Sequence, residues 1–192
     1  HSPATATAVT VMFNWDMVSF VPLIGIQIGV MSLVGRYMGA GEPDIAHRAA
    51  MSGLKFGWLY SLVILIFFVF FPQHLVGVFR PEQADAVFRD AAPIAVRMIR
   101  IASVYVMLEA VVVVFSGTLR GAGDTFWAMC VSVAIHWLML AILIVTLYVL
   151  KLSPEAAWTG VVLAFLSFSF VFYGRYRGGK WRTIRMVRTQ AE

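Results

Sequence analysis

The feature that most constrains this chain is the run from Thr125 to Leu150, where no Asp, Glu, Lys or Arg occurs between Asp124 and Lys151. A membrane-spanning helix needs roughly 20 mostly apolar residues, because each residue adds about 1.5 Å across a hydrocarbon core of about 30 Å. A buried helix of a soluble protein is poorly compatible with so long an uncharged stretch. The run therefore predicts a transmembrane helix.

Four further segments have comparable length and hydropathy. With the first they give five predicted spans, at residues 9–37, 52–71, 94–118, 126–150 and 156–173. The composition agrees, since 60% of the 192 residues are hydrophobic and only 13% are charged, whereas a soluble domain needs more polar surface. The predicted fold class is all-α: a polytopic transmembrane helical bundle over residues 1–174, embedded in a lipid bilayer as a multi-pass protein.

Basic residues accumulate after the last span, and they are Arg175, Arg177, Lys180, Arg182, Arg185 and Arg188. Cations that flank a span favour the cytoplasmic side, so residues 175–192 are predicted to form a basic cytoplasmic tail, and nucleic-acid binding is not expected. Counting five spans back places His1 outside. The same orientation places four arginines outside, against the positive-inside rule, and they are Arg80, Arg89, Arg97 and Arg100.

Two similar turns punctuate the chain. Residues 39–44 and 121–125 each carry Gly-Ala-Gly followed by an acid. Glycine adopts the left-handed conformation that ends a helix, so both segments predict helix ends, on the same side as the tail. Between residues 73 and 100, Val87, Phe88 and Ala91 fall at helical spacing and predict a short interfacial helix, with Pro93 restarting the chain into the third span.

Ionisable groups inside predicted spans are costly and mark candidate functional sites. Here they are Asp16, Glu109 and His136. Glu109 falls near mid-membrane, with Tyr105 and Ser116 on its helix face. The alternative for Glu109 is a protonated structural carboxyl group, and the alternative for His136 is an interhelical hydrogen bond rather than a proton relay.

Asp16 lies nearer the outer side, and Ser19 and Gln27 continue its helix face as a thin polar stripe that would face a cavity; a structural role is the alternative for Asp16. Asn14, His136 and Ser116 are weaker candidates. On the same segment a stripe of small residues has the spacing of a helix-packing seam. The stripe consists of Gly25, Gly29, Ser32 and Gly35.

No cofactor site is expected. Cys130 is the only cysteine, which excludes a disulfide framework and a CxxC-type metal site. The glycine turns lack the preceding strand and the following Lys-Ser/Thr of a phosphate-binding loop.

Two motifs resemble helix-end signatures of the multidrug and toxic compound extrusion (MATE) transporters. One is VGRYMGAGEPDIA at residues 34–46, preceded by PLIG at residues 22–25, and the other is GTLRGAGDT at residues 117–125. The residues that carry the turns are Gly39, Gly41, Arg120, Gly121, Gly123 and Asp124. The two motifs stand about 80 residues apart with two spans between them, and the resemblance covers residues 6–172.

The resemblance implies twelve helices in two bundles, with this chain carrying helices eight to twelve and an N-terminal bundle preceding it. It implies export of drugs or organic cations across the cell (inner) membrane in exchange for Na⁺ or H⁺. In related members an acid stands where Glu109 stands relative to Arg120, so Glu109 inherits the cation or substrate site, with Na⁺ as a possible ligand. Asp16 matches a second acid, six residues before Pro22. Residues 27–29 depart from the small-residue run of the family.

Three functions follow as hypotheses. The first is a cation-coupled antiporter, in which one carboxylate binds ion and substrate in turn and Tyr105 adds a cation–π contact. The second is a lipid-linked oligosaccharide flippase of related architecture, for which the spans offer few cations to hold a pyrophosphate. The third is an intramembrane enzyme, which would need Asp16, Glu109 and His136 within hydrogen-bond reach of one another. The first is preferred, so the chain is not expected to be an enzyme.

Overall fold

The structure, a computed structural model, describes residues 3–81 and 85–184. Its helices are α1 (Pro3–Gly39), α2 (Pro43–Phe70), α3 (Pro72–Gly77), α4 (Ala86–Gly121), α5 (Thr125–Ile144) and α6 (Pro154–Arg177). A π-helical turn (Val145–Val149) extends α5, and a 3₁₀ turn (Lys180–Thr183) follows α6. Within the described ranges there is no strand. His1, Glu82, Arg185 and Arg188 lie outside the described residues.

Five helices are long and apolar enough to cross a membrane, namely α1, α2, α4, α5 with its π turn, and α6. The predicted all-α bundle with five spans is confirmed. Each of the five spanning helices begins before its predicted span, and α1, α4 and α6 also end after theirs. Helix α2 begins at Pro43 rather than at residue 52, and α6 continues to Arg177, past the predicted start of the tail at residue 175.

The bundle is organised around α4, which packs against α1, α2, α5 and α6. Of its apolar stretch 67% is buried, against 6% for α5. The sequences of the two helices account for this difference in burial. Helix α4 carries small and β-branched residues that let neighbours approach closely, whereas α5 buries only Ala128 and turns a continuous apolar surface outward. An apolar outward surface of this extent requires cover by lipid or by another protein surface.

The two glycine turns have the same geometry. Gly41 and Gly123 have positive φ angles of 75° and 88°. The amide of Glu42 donates to the Tyr37 carbonyl at 2.8 Å, as the amide of Asp124 does to the Leu119 carbonyl, also at 2.8 Å. This is the Schellman pattern, which satisfies carbonyls left open at a helix end. Left-handed helix ends at these turns are therefore confirmed.

The predicted packing seam on α1 is wrong in part. A Cβ atom added to Gly25 or Gly29 would meet nothing within 4 Å. The close approach between the two backbones instead lies at glycines of the facing helix α4. A Cβ atom added to Gly117 would lie 2.8 Å from the Gln27 carbonyl oxygen. A Cβ atom added to Gly121 would lie 2.4 Å from the Met31 carbonyl oxygen. Residues 117–121 form a GxxxG motif of their own. Of the predicted stripe, Gly35 does contribute, because its added Cβ would lie 3.3 Å from the Gly121 carbonyl oxygen.

The predicted interfacial helix is not separate from the third span. Helix α4 starts at Ala86 and runs through Pro93 without a break. Its first turn is stabilised by Asp85, whose side chain accepts a hydrogen bond from the Val87 amide at 2.8 Å. The short helix of this region is α3, immediately after α2, and the Trp15 indole donates to its Leu75 carbonyl at 2.9 Å.

Pro22 lies inside α1, which is continuous around it. Proline lacks the amide that would bond to the carbonyl four residues earlier, that of Val18. The Tyr60 hydroxyl from α2 donates to this carbonyl oxygen at 2.8 Å. A neighbouring helix therefore satisfies the backbone group that Pro22 leaves open.

The two glycine turns and the segment after α6 meet at one end of the bundle. Arg175 forms two hydrogen bonds to Asp124, at 2.8 and 3.2 Å. Arg182 lies 3.3 Å from Asp44. Trp181 is 1% exposed, so the start of the predicted tail packs against the bundle rather than extending away from it.

This arrangement predicts the result of cysteine labelling in membrane vesicles. With Cys130 replaced by Ser, Asp44→Cys and Lys180→Cys should react with a membrane-impermeant maleimide from the same side, because both turns and the post-α6 segment share one end. Arg80→Cys, at the other end of α2, is the matched control and should react from the opposite side. Labelling of Asp44→Cys and Lys180→Cys from opposite sides would contradict the fold.

Candidate functional site

The structure brings together Asp16, Ser19, Tyr105 and Glu109 at the contact between α1 and α4. Both helices end at the same end of the bundle, so they run parallel, and their registers place Asp16 beside Tyr105. The Tyr105 hydroxyl donates to Asp16 Oδ1. Tyr105 and Glu109 occupy one face of α4 because they are four residues apart.

Ser19 contacts both acidic residues, through the backbone carbonyl of Asp16 and the carboxyl group of Glu109. Its hydroxyl lies 2.8 Å from the Asp16 carbonyl oxygen and 3.5 Å from Glu109 Oε2. A hydroxyl has one proton, so it donates to one of these acceptors at a time. Glu109 is 3% exposed, whereas Asp16 is only partly buried. The cluster thus places a deep carboxyl group and a shallower one along one helix contact, each beside a hydroxyl group: Ser19 beside Glu109 and Tyr105 beside Asp16.

Aromatic rings surround the Tyr105 side of this cluster. The Tyr105 ring lies 5.3 Å from the Phe165 ring and 6.4 Å from the Trp158 ring, both on α6. Trp158 Nε1 is buried and has no hydrogen-bond partner among the described residues. This combination of carboxylate, hydroxyl and aromatic groups is suited to binding a cation. Carboxylate and hydroxyl oxygens bind cations as ligands, and the faces of aromatic rings attract them electrostatically.

Gln27 and Ser116 form a second polar contact between the same helices, about two turns closer to the glycine turns. The Gln27 amide donates to Ser116 Oγ at 3.1 Å. Ser116 is buried and Gln27 partly buried. No described hydrogen bond joins this pair to Glu109, so the predicted residues divide into two polar positions along one helix contact.

Two weaker candidates do not join either position. His136 is exposed on α5, its Nδ1 lies 2.6 Å from the Ser132 carbonyl oxygen, and its ring contacts Phe168. Asn14 is exposed, and its amide donates to the Thr10 carbonyl at 2.8 Å. Within the described part of the chain neither bonds to Asp16 or Glu109. The convergence that the enzyme hypothesis requires is absent there.

The turn residues have structural partners. Gly39 and Gly121 are the last residues of α1 and α4, while Gly41 and Gly123 adopt the left-handed conformation. Asp124 holds Arg175, whose guanidinium also stands 5.0 Å from the centre of the Trp127 ring. Arg120 is exposed.

The spacing of three residues put Ser19 on the face of Asp16, and the structure places it in the cluster. Trp158 was not predicted as a site residue, because only the packing of α6 against α4 brings it beside Tyr105.

The five membrane-length helices define a polytopic membrane protein. Its buried Glu109 and partly buried Asp16 are ionisable groups inside a bundle, which are typical of ion and substrate paths. The MatE family model matches residues 2–143. The chain belongs to the MatE family.

Curated relatives agree with this assignment. The probable multidrug resistance protein NorM of Thermotoga maritima is 24% identical over 88% of this chain and 35% of its own length. NorM of Pseudomonas aeruginosa is 30% identical over 64% of this chain and 25% of its own. The multidrug resistance protein MdtK of Yersinia enterocolitica is 25% identical over 87% and 36%. The chain therefore spans about a third of the length of the relatives it matches.

A solved structure has the same fold. A MOP superfamily transporter from Pyrococcus furiosus matches with a TM-score of 0.77 and 22% identity, over 98% of this chain and 40% of that one. At this identity the likeness defines the fold alone. The bundle described above is therefore an arrangement found in a larger transporter.

Proposed function

We propose that this chain forms one bundle of a cation-coupled antiporter that exports drugs or organic cations, and that Glu109 with Asp16 binds the coupling ion and the substrate in turn. The relatives named above are multidrug resistance proteins, which supports drug export. The observation that carries the proposal is the Asp16–Tyr105–Ser19–Glu109 cluster at the contact of two membrane-spanning helices.

The energetics favour exchange of cations at this cluster. A charged carboxylate in a membrane interior costs roughly 2.5–3.5 kcal/mol on the insertion scale, and two adjacent carboxylates also repel each other. A proton, Na⁺ or a cationic substrate offsets both costs. Because these cations compete for the same oxygens, binding of one favours release of another, and coupling follows if the two bundle orientations bind them with different affinities.

The proposal places the glycine turns and the post-α6 segment in the cytoplasm and adds a second bundle, supplied by the rest of the polypeptide, as the other wall of the cavity. Within the described residues the cluster contains acidic side chains and no basic side chain. It is therefore better suited to a cationic substrate than to the pyrophosphate of an oligosaccharide-lipid. His136 lies outside the cluster of Asp16 and Glu109, which favours transport over an intramembrane enzyme.

Reconstitution of the complete transporter tests the proposal. In proteoliposomes loaded with a fluorescent organic cation, an imposed Na⁺ or H⁺ gradient should drive export, and one of the two ions should be effective. Dissipating the gradient with an ionophore is the control and should stop the flux. Export at the same rate without any gradient would refute coupling.

A further inference from the structure

Helix α1 carries an aromatic ring beside the carboxyl cluster that the transport proposal does not use. Phe13 lies three residues before Asp16, so the two side chains are neighbours on the helix surface, with Cβ atoms about 5–6 Å apart. The Phe13 side chain is 45% exposed. A large part of its ring surface is therefore open next to an acidic group.

Asp16 has a carboxyl oxygen left for a ligand. Its Oδ1 accepts the hydrogen bond from Tyr105, and its Oδ2 accepts none from the described residues. Asp16 is only partly buried, whereas Glu109 is 3% exposed. A ligand that approaches from the exposed surface of the bundle therefore reaches Asp16 before Glu109.

Trp158 of α6 fixes the position of the Phe13 ring. The two ring centres are 5.7 Å apart and the ring planes meet at 74°. Trp158 is itself 9% exposed, and its other neighbour is the Tyr105 ring, at 6.4 Å. Its indole N–H has no hydrogen-bond partner in the described part of the chain, so Trp158 acts here through packing. A ring held in place loses less conformational entropy when a ligand binds.

We propose, building on the antiport function proposed above, that Asp16 and Phe13 together bind the charged nitrogen of the organic cation. The nitrogen lies between the Asp16 carboxylate and the face of the Phe13 ring. This combination fits a tertiary or quaternary ammonium group, because aromatic faces bind alkylated ammonium groups through cation–π attraction.

A small inorganic cation has different requirements at this cluster. Such ions take oxygen ligands, and Glu109 and Ser19 supply oxygens without an aromatic ring between them. Phe13 is therefore a specificity-determining residue for the organic cation, and Trp158 is a positioning residue that acts through Phe13.

Equilibrium binding to the complete transporter in detergent, without any ion gradient, tests this assignment. Radiolabelled tetraethylammonium is the probe, and its affinity should fall about two- to fivefold in Phe13→Leu, which keeps an apolar side chain but has no ring. Phe13→Trp keeps an aromatic face and should bind the probe at least as tightly as the original protein. Phe126→Leu removes a ring that is 76% exposed on α5 and is the matched control, with unchanged affinity expected.

Two acid variants separate this inference from the proposed function. Asp16→Asn should weaken tetraethylammonium binding more than Glu109→Gln does, although Glu109→Gln should abolish gradient-driven export. If the complete transporter exports nothing under a gradient but Phe13→Leu still weakens binding, antiport fails and the binding site stands.

Three results would overturn the inference. One is equal affinity of the original protein and Phe13→Leu for tetraethylammonium. Another is the same loss in Phe126→Leu as in Phe13→Leu, and the third is the absence of saturable binding to the original protein.

Discussion

Replacing Glu109 with Gln in the complete transporter is expected to reduce gradient-driven export to the level of liposomes without protein. Gln keeps the shape of Glu but has no charge to exchange between ion and substrate. Glu109 is 3% exposed, and its Oε2 lies 3.5 Å from the Ser19 hydroxyl, so its charge is the deeper of the two in the cluster. The measurement is initial efflux of a fluorescent organic cation under an imposed Na⁺ or H⁺ gradient.

Three comparisons complete this test. Glu109→Asp keeps the charge and should retain part of the flux. Asp16→Asn should have a smaller or substrate-dependent effect, since Asp16 is only partly buried. Glu42→Gln removes an exposed acid at the first glycine turn and is the matched control, with unchanged flux expected. Normal export by correctly inserted Glu109→Gln protein would remove Glu109 from the mechanism.

Replacing Gly121 with Ala is expected to lower the stability of the bundle by about 1–3 kcal/mol, the usual cost of overpacking. The new Cβ atom would lie 2.4 Å from the Met31 carbonyl oxygen. This oxygen is a backbone atom and cannot turn away as a side chain can, so α1 and α4 must separate. Thermal unfolding in detergent should show a midpoint lower by roughly 2–12 °C, at about 2–4 °C per kcal/mol for a chain of this size.

Gly29→Ala is the matched control within the same pair of helices. Its Cβ atom would meet nothing within 4 Å, and Ala has the better helix propensity by about 0.5–1 kcal/mol. The variant should therefore be as stable as the original chain or slightly more stable. A larger loss for Gly29→Ala than for Gly121→Ala would mean that α1 packs through its own small-residue stripe instead.

Features that depend on one segment at a time were predictable from the amino-acid sequence. Hydropathy and length predicted five spans, because a bilayer acts on each helix separately. The chemistry of the glycine turns predicted both helix ends, because only Gly adopts a positive φ at low cost at Gly41 and Gly123. The cost of placing ionisable groups in lipid singled out Asp16, Glu109 and His136, of which the first two belong to the cluster and His136 does not.

Features that depend on two segments together follow only from the packing of the helices. Residues 25–29 and 117–121 both match GxxxG, yet only the second is at a close backbone contact, because the rotation of each helix about its axis is set by all its neighbours. Asp16 and Tyr105 meet because α1 and α4 run parallel in one register, and Trp158 joins them through α6. The spacing of residues along the chain predicts which of them lie on one face of a helix. Helix packing determines which neighbouring residues that face contacts.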